Sequence, residues 1–276
     1  MQSPNTPARS ATSSKERVSE VALRVEATAI ANRRSLGGEK PGASRGVKTA
    51  VENRRSLGLH RCRIRLDELR FLDPYAQIEQ TENRLPHWQQ PGAAYFVTFR
   101  LTDAVPKALL DRWQDERTAW LRHHPEPWTP EVEREYHERF SRQFEQWLDA
   151  GHGSCALREP RCAGIAAEAL AFFEGARCTQ LAWVVMPTHV HTLFVLHEPW
   201  PLESIVASWK RHAAREINRL HQRTGALWQK DYFDRLIRDS RHLANCVRYV
   251  RRNPEKARLR PGEALLWESE LAKAIE

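Results

Sequence analysis

Two periods of apolar and polar positions run through this chain from about residue 83 onward. Ala94-Tyr95-Phe96-Val97-Thr98-Phe99-Arg100-Leu101 is rich in aromatic and β-branched residues, which predicts a strand. A helix is predicted from about Pro106 to His123. The Pro-punctuated stretch from His124 to Pro130 interrupts it. Thr129 can cap a new helix with Pro130 in its first position. Val132, Tyr136, Phe140, Phe144 and Leu148 then recur at helical spacing until Gly151. A third helix is expected from Pro160 to Phe173. Gln180 to Met186 and His189 to Leu196 read as two buried strands of a hairpin, joined at Pro187-Thr188. Leu202 to His221 reads as an amphipathic helix with Ile205, Trp209, Ala213, Ile217 and Leu220 on its apolar stripe. Trp228 to Ile237 predicts a further strand. A last helix starts near Asp239 or Ser240, buries Leu243, Cys246, Val247 and Val250, and is expected to stop before Pro254. This order predicts an α+β fold, an antiparallel β-sheet flanked by helices.

Residues 1–68 have a different character. They are rich in Ser, Ala, Arg and Gly, and large apolar groups are sparse. Thr28-Ala29-Ile30-Ala31-Asn32-Arg33-Arg34-Ser35-Leu36-Gly37 returns as Thr49-Ala50-Val51-Glu52-Asn53-Arg54-Arg55-Ser56-Leu57-Gly58. Two copies are too few for a solenoid. Such a segment cannot bury enough apolar area to offset its ordering entropy, so a disordered basic tail is expected. An arm that clamps DNA is the functional alternative. The folded domain is then 69–276, with 124–154 as a helical insertion.

Charge narrows the partner. The 276 residues carry a net charge of +8, with a pI near 9.5. Pro201 to Arg260 alone holds 15 Lys and Arg against 6 Asp and Glu. A polyanion, nucleic acid first, is the expected partner. Lys210, Arg211 and Arg215 on one helix, with Arg235 and Arg238 beyond it, are the candidate phosphate contacts, and Trp228 could stack on an unpaired base. The five cysteines are widely spaced, without Cys-x-x-Cys, which points to reduced thiols. No apolar run is long enough to span a membrane. A cytoplasmic, nucleoid-associated protein is expected.

The candidate chemistry lies in Met186-Pro187-Thr188-His189-Val190-His191. Side chains alternate along a strand, so His189 and His191 project together, about 7 Å apart along the rise, while Val190 turns to the other face. Paired imidazoles can hold one metal ion, although a lone His-x-His is more often two ordinary strand histidines. At 100° per residue, His242, Tyr249 and Asn253 share one edge of the last helix. Tyr249 could be an amphipathic edge residue and Asn253 a terminating cap. Tyr232 is a rival tyrosine nucleophile. A zinc hydrolase built on the two histidines would need a third strong ligand and a general base, and no His-Glu-x-x-His is present.

Taken in order, Trp183-Val184-Val185-Met186-Pro187 with His189-Val190-His191, Trp228 to Arg235, and Tyr249-Val250-Arg251-Arg252-Asn253-Pro254 resemble the REP-associated, IS200-like tyrosine transposases of the HUH superfamily. The resemblance runs from about Leu85 to Leu259. It implies the HUH, ferredoxin-like transposase fold, with Tyr249 as nucleophile. It places a divalent metal, Mg or Mn, on His189, His191 and Asn253. It implies cleavage and strand transfer of single-stranded or hairpin DNA through a 5′-phosphotyrosine, by a monomer or homodimer. A catalytically inactive DNA-binding regulator derived from such an enzyme is the competing reading.

Overall fold

The computed structural model describes residues 64–276, apart from 74, 76–78, 83–85, 91, 126 and 127. The expected tail as far as residue 63, with its repeat, lies outside the described residues. From Ile64, which packs against one of the two cores, the chain passes a 3-10 turn at Leu66–Glu68. A two-stranded hairpin follows, β1 (Glu79–Glu82) with β2 (Pro86–Gln89).

The main sheet has five strands: β3 (Ala94–Arg100), β4 (Cys178–Val185), β5 (His189–Leu196), β6 (Phe233–Leu236) and β7 (Leu265–Glu268). Their order across the sheet is β6-β3-β5-β4-β7, and every pairing is antiparallel. The helices are α1 (Lys107–His123), α2 (Pro130–Tyr136), α3 (Arg142–Asp149), α4 (Pro160–Ala171), α5 (Leu202–Leu220), α6 (Ser240–Lys256) and α7 (Glu270–Lys273). A π-helical turn, His137–Ser141, joins α2 to α3.

Helices cover both faces of the sheet. Trp183, Val190 and Phe194 pack with α4 and α5 residues such as Leu170, Trp209 and Ile217. Phe96, Leu193 and Val195 pack with Leu243, Val247 and Val250 of α6. Central strands covered on both sides read as continuous apolar runs rather than alternating ones, and every residue of β4 and β5 is buried. Each large apolar side chain buried in this way contributes about 1.5–3 kcal/mol.

The expected α+β architecture is present, with three local differences. The strand expected over Trp228 to Ile237 is confined to Phe233–Leu236, and Trp228 makes an isolated bridge to Leu101. The last helix does not stop before Pro254 but continues to Lys256. Pro254 lacks the N–H that would donate to the Val250 carbonyl, and the helix end beyond it is closed by Ala257 N–H donating to the Asn253 carbonyl and Leu259 N–H to that of Pro254. Neither the hairpin β1–β2 nor β7 was expected. At the other end of α6, the Asp239 carboxylate caps the helix by accepting from His242 N–H at 2.6 Å.

Candidate functional site

His189 and His191 lie on the α6 side of β5, the central strand of the sheet. Their rings meet edge to face at 4.6 Å between centroids. Both are almost fully buried. Burial, then the Lys256 ammonium, pushes His189 down to about 3. Burial, the neighbouring His189 and Lys256 push His191 well below the ordinary imidazole value. Both are neutral imidazoles, the form that binds metal.

Two threonines set their tautomers. The Thr188 hydroxyl donates to the Leu148 carbonyl at 3.0 Å. Its oxygen is left to accept from Nδ1 of His189 at 2.9 Å, which makes Nε2 the bare nitrogen. Thr98, directly across from His191 on β3, places Oγ1 2.7 Å from Nδ1 of His191. A proton on that nitrogen donates to Thr98 and leaves Nε2 free. Nε2 of His191 is buried without a partner.

Helix α6 brings the second half. The Tyr249 ring lies edge to face against His191 at 5.2 Å and against Phe96 at 5.8 Å. One turn on, Asn253 is buried, and its amide oxygen has no hydrogen-bond partner. Buried polar atoms are rarely left unpaired, so the unpaired Nε2 of His191 and the unpaired amide oxygen of Asn253 beside one tyrosine fit a bound cation. Burial raises the Tyr249 hydroxyl well above the ordinary tyrosine value, helped by the Glu145 and Asp149 charges, while Asn253 and Arg235 pull the other way. The phenol therefore stays protonated until something stabilises its developing charge.

Three residues that the sequence reading missed complete the site. Lys256 Nζ lies 5.6 Å from the Tyr249 ring centroid. Glu145 and Asp149 of α3 hold it at 3.1 and 3.3 Å. The expected helical insertion therefore does more than decorate the domain, since α3 supplies these two carboxylates and the Leu148 carbonyl. Met186, Pro187, Asp149, Arg158, Arg258 and Arg260 line an adjoining cavity of about 440 Å³.

Residues 166–253 match the family described as Transposase IS200 like. That segment begins within α4 and closes on Asn253, so it contains both histidines, Tyr249 and the asparagine. A solved structure described as a REP-associated tyrosine transposase bound to a REP hairpin is 16% identical. The alignment covers 64% of this chain and 73% of that one, with a TM-score of 0.32. No curated protein matches the chain.

The remaining candidates divide by position. Trp228 is 6% exposed and packs edge to face on Phe99 at 4.9 Å. Tyr232 belongs to the core on the other side of the sheet, away from the histidines. Lys210 is largely used internally, donating to the carbonyls of Gln229 and Lys230 at 2.8 and 2.7 Å. Arg211 and Arg215 are exposed on α5, although Arg215 also pairs with Glu216 at 2.9 Å. Arg235 and Arg238 lie half-buried near α6, where Arg235 acts on Tyr249. Arg235 also sits over the exposed Phe233 ring at 5.3 Å. The four described cysteines are free thiols. No helix among the described residues is long and apolar enough to cross a membrane.

Proposed function

We propose that this chain cleaves and rejoins single-stranded DNA with Tyr249 as nucleophile. The observation that carries the reading is the convergence of His189, His191, Asn253 and Tyr249 on one face of the sheet, with unpaired buried donor atoms between them. Two imidazole nitrogens and an amide oxygen suit a divalent cation, and the orphaned atoms fit one. His189, His191 and Asn253 would hold Mg or Mn, which would polarise the scissile phosphate. The Tyr249 oxygen attacks phosphorus and its proton leaves. The 3′-oxygen departs as a hydroxyl, and a 5′-phosphotyrosine remains. Attack by another 3′-hydroxyl reverses the step and releases Tyr249, so the phosphodiester bond energy is retained. Arg211, Arg215, Arg235 and Arg238 would bind the strand through its phosphates. Residues 69–276 form the catalytic unit in this reading, with 124–154 as an insertion that buttresses it.

The resemblance in the Tyr249 to Pro254 motif makes a hairpin the substrate of choice. The test is incubation with labelled single-stranded hairpin DNA and Mn, followed by denaturing electrophoresis. A protein–DNA adduct that needs metal and is lost in Tyr249→Phe, with binding retained, supports the reading. Binding without an adduct across several hairpins and metals would turn the assignment to an inactive regulator.

A further inference from the structure

Glu159, Cys162 and His221 converge on the opposite side of the sheet from Tyr249. Glu159 is the residue before the first turn of α4, Cys162 lies inside that turn, and His221 follows the last residue of α5. Cys162 Sγ is 3.1 Å from His221 Nε2, and Glu159 Oε2 is 3.2 Å from the same nitrogen and 3.9 Å from the sulfur. A circle through three atoms at these separations has a radius of about 2.0 Å, within the usual range of zinc–ligand bonds. An ion just off their plane would meet all three donors at bonding distance without moving either helix.

We propose that Glu159, Cys162 and His221 form a second metal site, selective for zinc, which pins the start of α4 to the end of α5. Thiolate and imidazole select zinc over the hard Mg ion suited to a phosphate-binding centre. Zinc displaces the thiol proton to solvent and binds the thiolate, the neutral imidazole and the glutamate carboxylate. The +2 ion and two anionic ligands sum to zero, an acceptable charge at the edge of a core that includes Cys162. Cys162 is fully buried, while Glu159 and His221 are partly open, so the fourth position faces water. Burial and the Glu159 carboxylate push the Cys162 thiol up to about 11 without metal, so the binding site stays protonated until an ion arrives. The N-terminus of α4 favours the thiolate that the metal then requires.

The experiment uses the full chain, reconstituted with Zn or Co and then desalted. The expected result is one tightly held zinc that survives His189→Ala/His191→Ala and is lost in Cys162→Ser and His221→Ala. Loaded with Co, the protein should show sulfur-to-metal charge-transfer absorption that persists in the double histidine variant and disappears in Cys162→Ser. Partly exposed His221 gives a second variant that tolerates substitution, and its circular dichroism reports folding. Absence of the cobalt–sulfur band in the wild type, or its survival in folded His221→Ala, would overturn the proposal. So would zinc retained in full by both ligand variants.

Discussion

Thr98 Oγ1 lies 2.7 Å from Nδ1 of His191, directly across the strand pair β3–β5. This contact orients the ring and keeps its other nitrogen bare. Thr98→Val retains the β-branched shape and removes the oxygen. The variant is expected to fold normally and to bind Mn about 10–100-fold more weakly, the usual effect of losing a partner behind a metal ligand. Unchanged Mn affinity by titration calorimetry would remove Thr98 from the site.

Lys256 is held between Glu145 and Asp149 while it faces the Tyr249 ring. Lys256→Met leaves two carboxylates without their cation in a partly buried setting. A loss of about 1–3 kcal/mol is expected in urea unfolding. Adding Asp149→Asn should recover part of it, because interacting groups are not additive. Strict additivity in the double-mutant cycle would mean that the pair does not fasten α3 to α6.

Gly153 has φ +77°, and a Cβ there would come within 2.2 Å of the Asp103 carbonyl oxygen. The next residue, Ser154, donates its backbone N–H to the Asp103 carboxylate at 2.8 Å. Gly153→Ala therefore strains the backbone and drives it off its neighbour. A destabilisation of at least about 1–3 kcal/mol is expected. A denaturation midpoint equal to wild type would contradict the tight approach of these two loops.

Burial pushes the Glu174 carboxyl up to about 7, against the pull of the Gln180 backbone N–H that donates to it at 2.8 Å. The unfolded chain loses this proton near 4.5. Between these values the folded state holds a proton that the unfolded state does not. The contribution of Glu174 to stability is therefore greatest below the window and is lost as pH rises through it. Glu174→Gln keeps an acceptor and cannot ionise. Its stability at pH 8 should exceed that of the wild type, with a flatter profile between pH 5 and 7. Parallel melting-temperature profiles for the two proteins would refute this.

The sequence by itself determined the sheet-and-helix order, because period-2 and period-3.6 patterns report local backbone geometry directly. His-Val-His likewise placed two imidazoles on one strand face, and the spacing from Tyr249 to Asn253 placed both on one helix edge. Whether the strand face and the helix edge met was a matter of how α6 packs against the sheet. Trp228 and Tyr232 instead sit in the other core, across the sheet from the histidines. The packing of α6 recruited Thr98, Lys256, Glu145 and Asp149, which carry no local signature, since a threonine in a strand and charges on a helix look like ordinary surface choices. Pro254 misled because proline removes only one donor, and one lost bond in the last turn does not end a helix whose other face is packed on the sheet through Val247 and Val250. The short strands of the β1–β2 hairpin and β7 were missed because four residues hold too few periods to be told from loop. β7 forms because the edge of β4 supplies its hydrogen bonds, and that edge exists only once the sheet has folded.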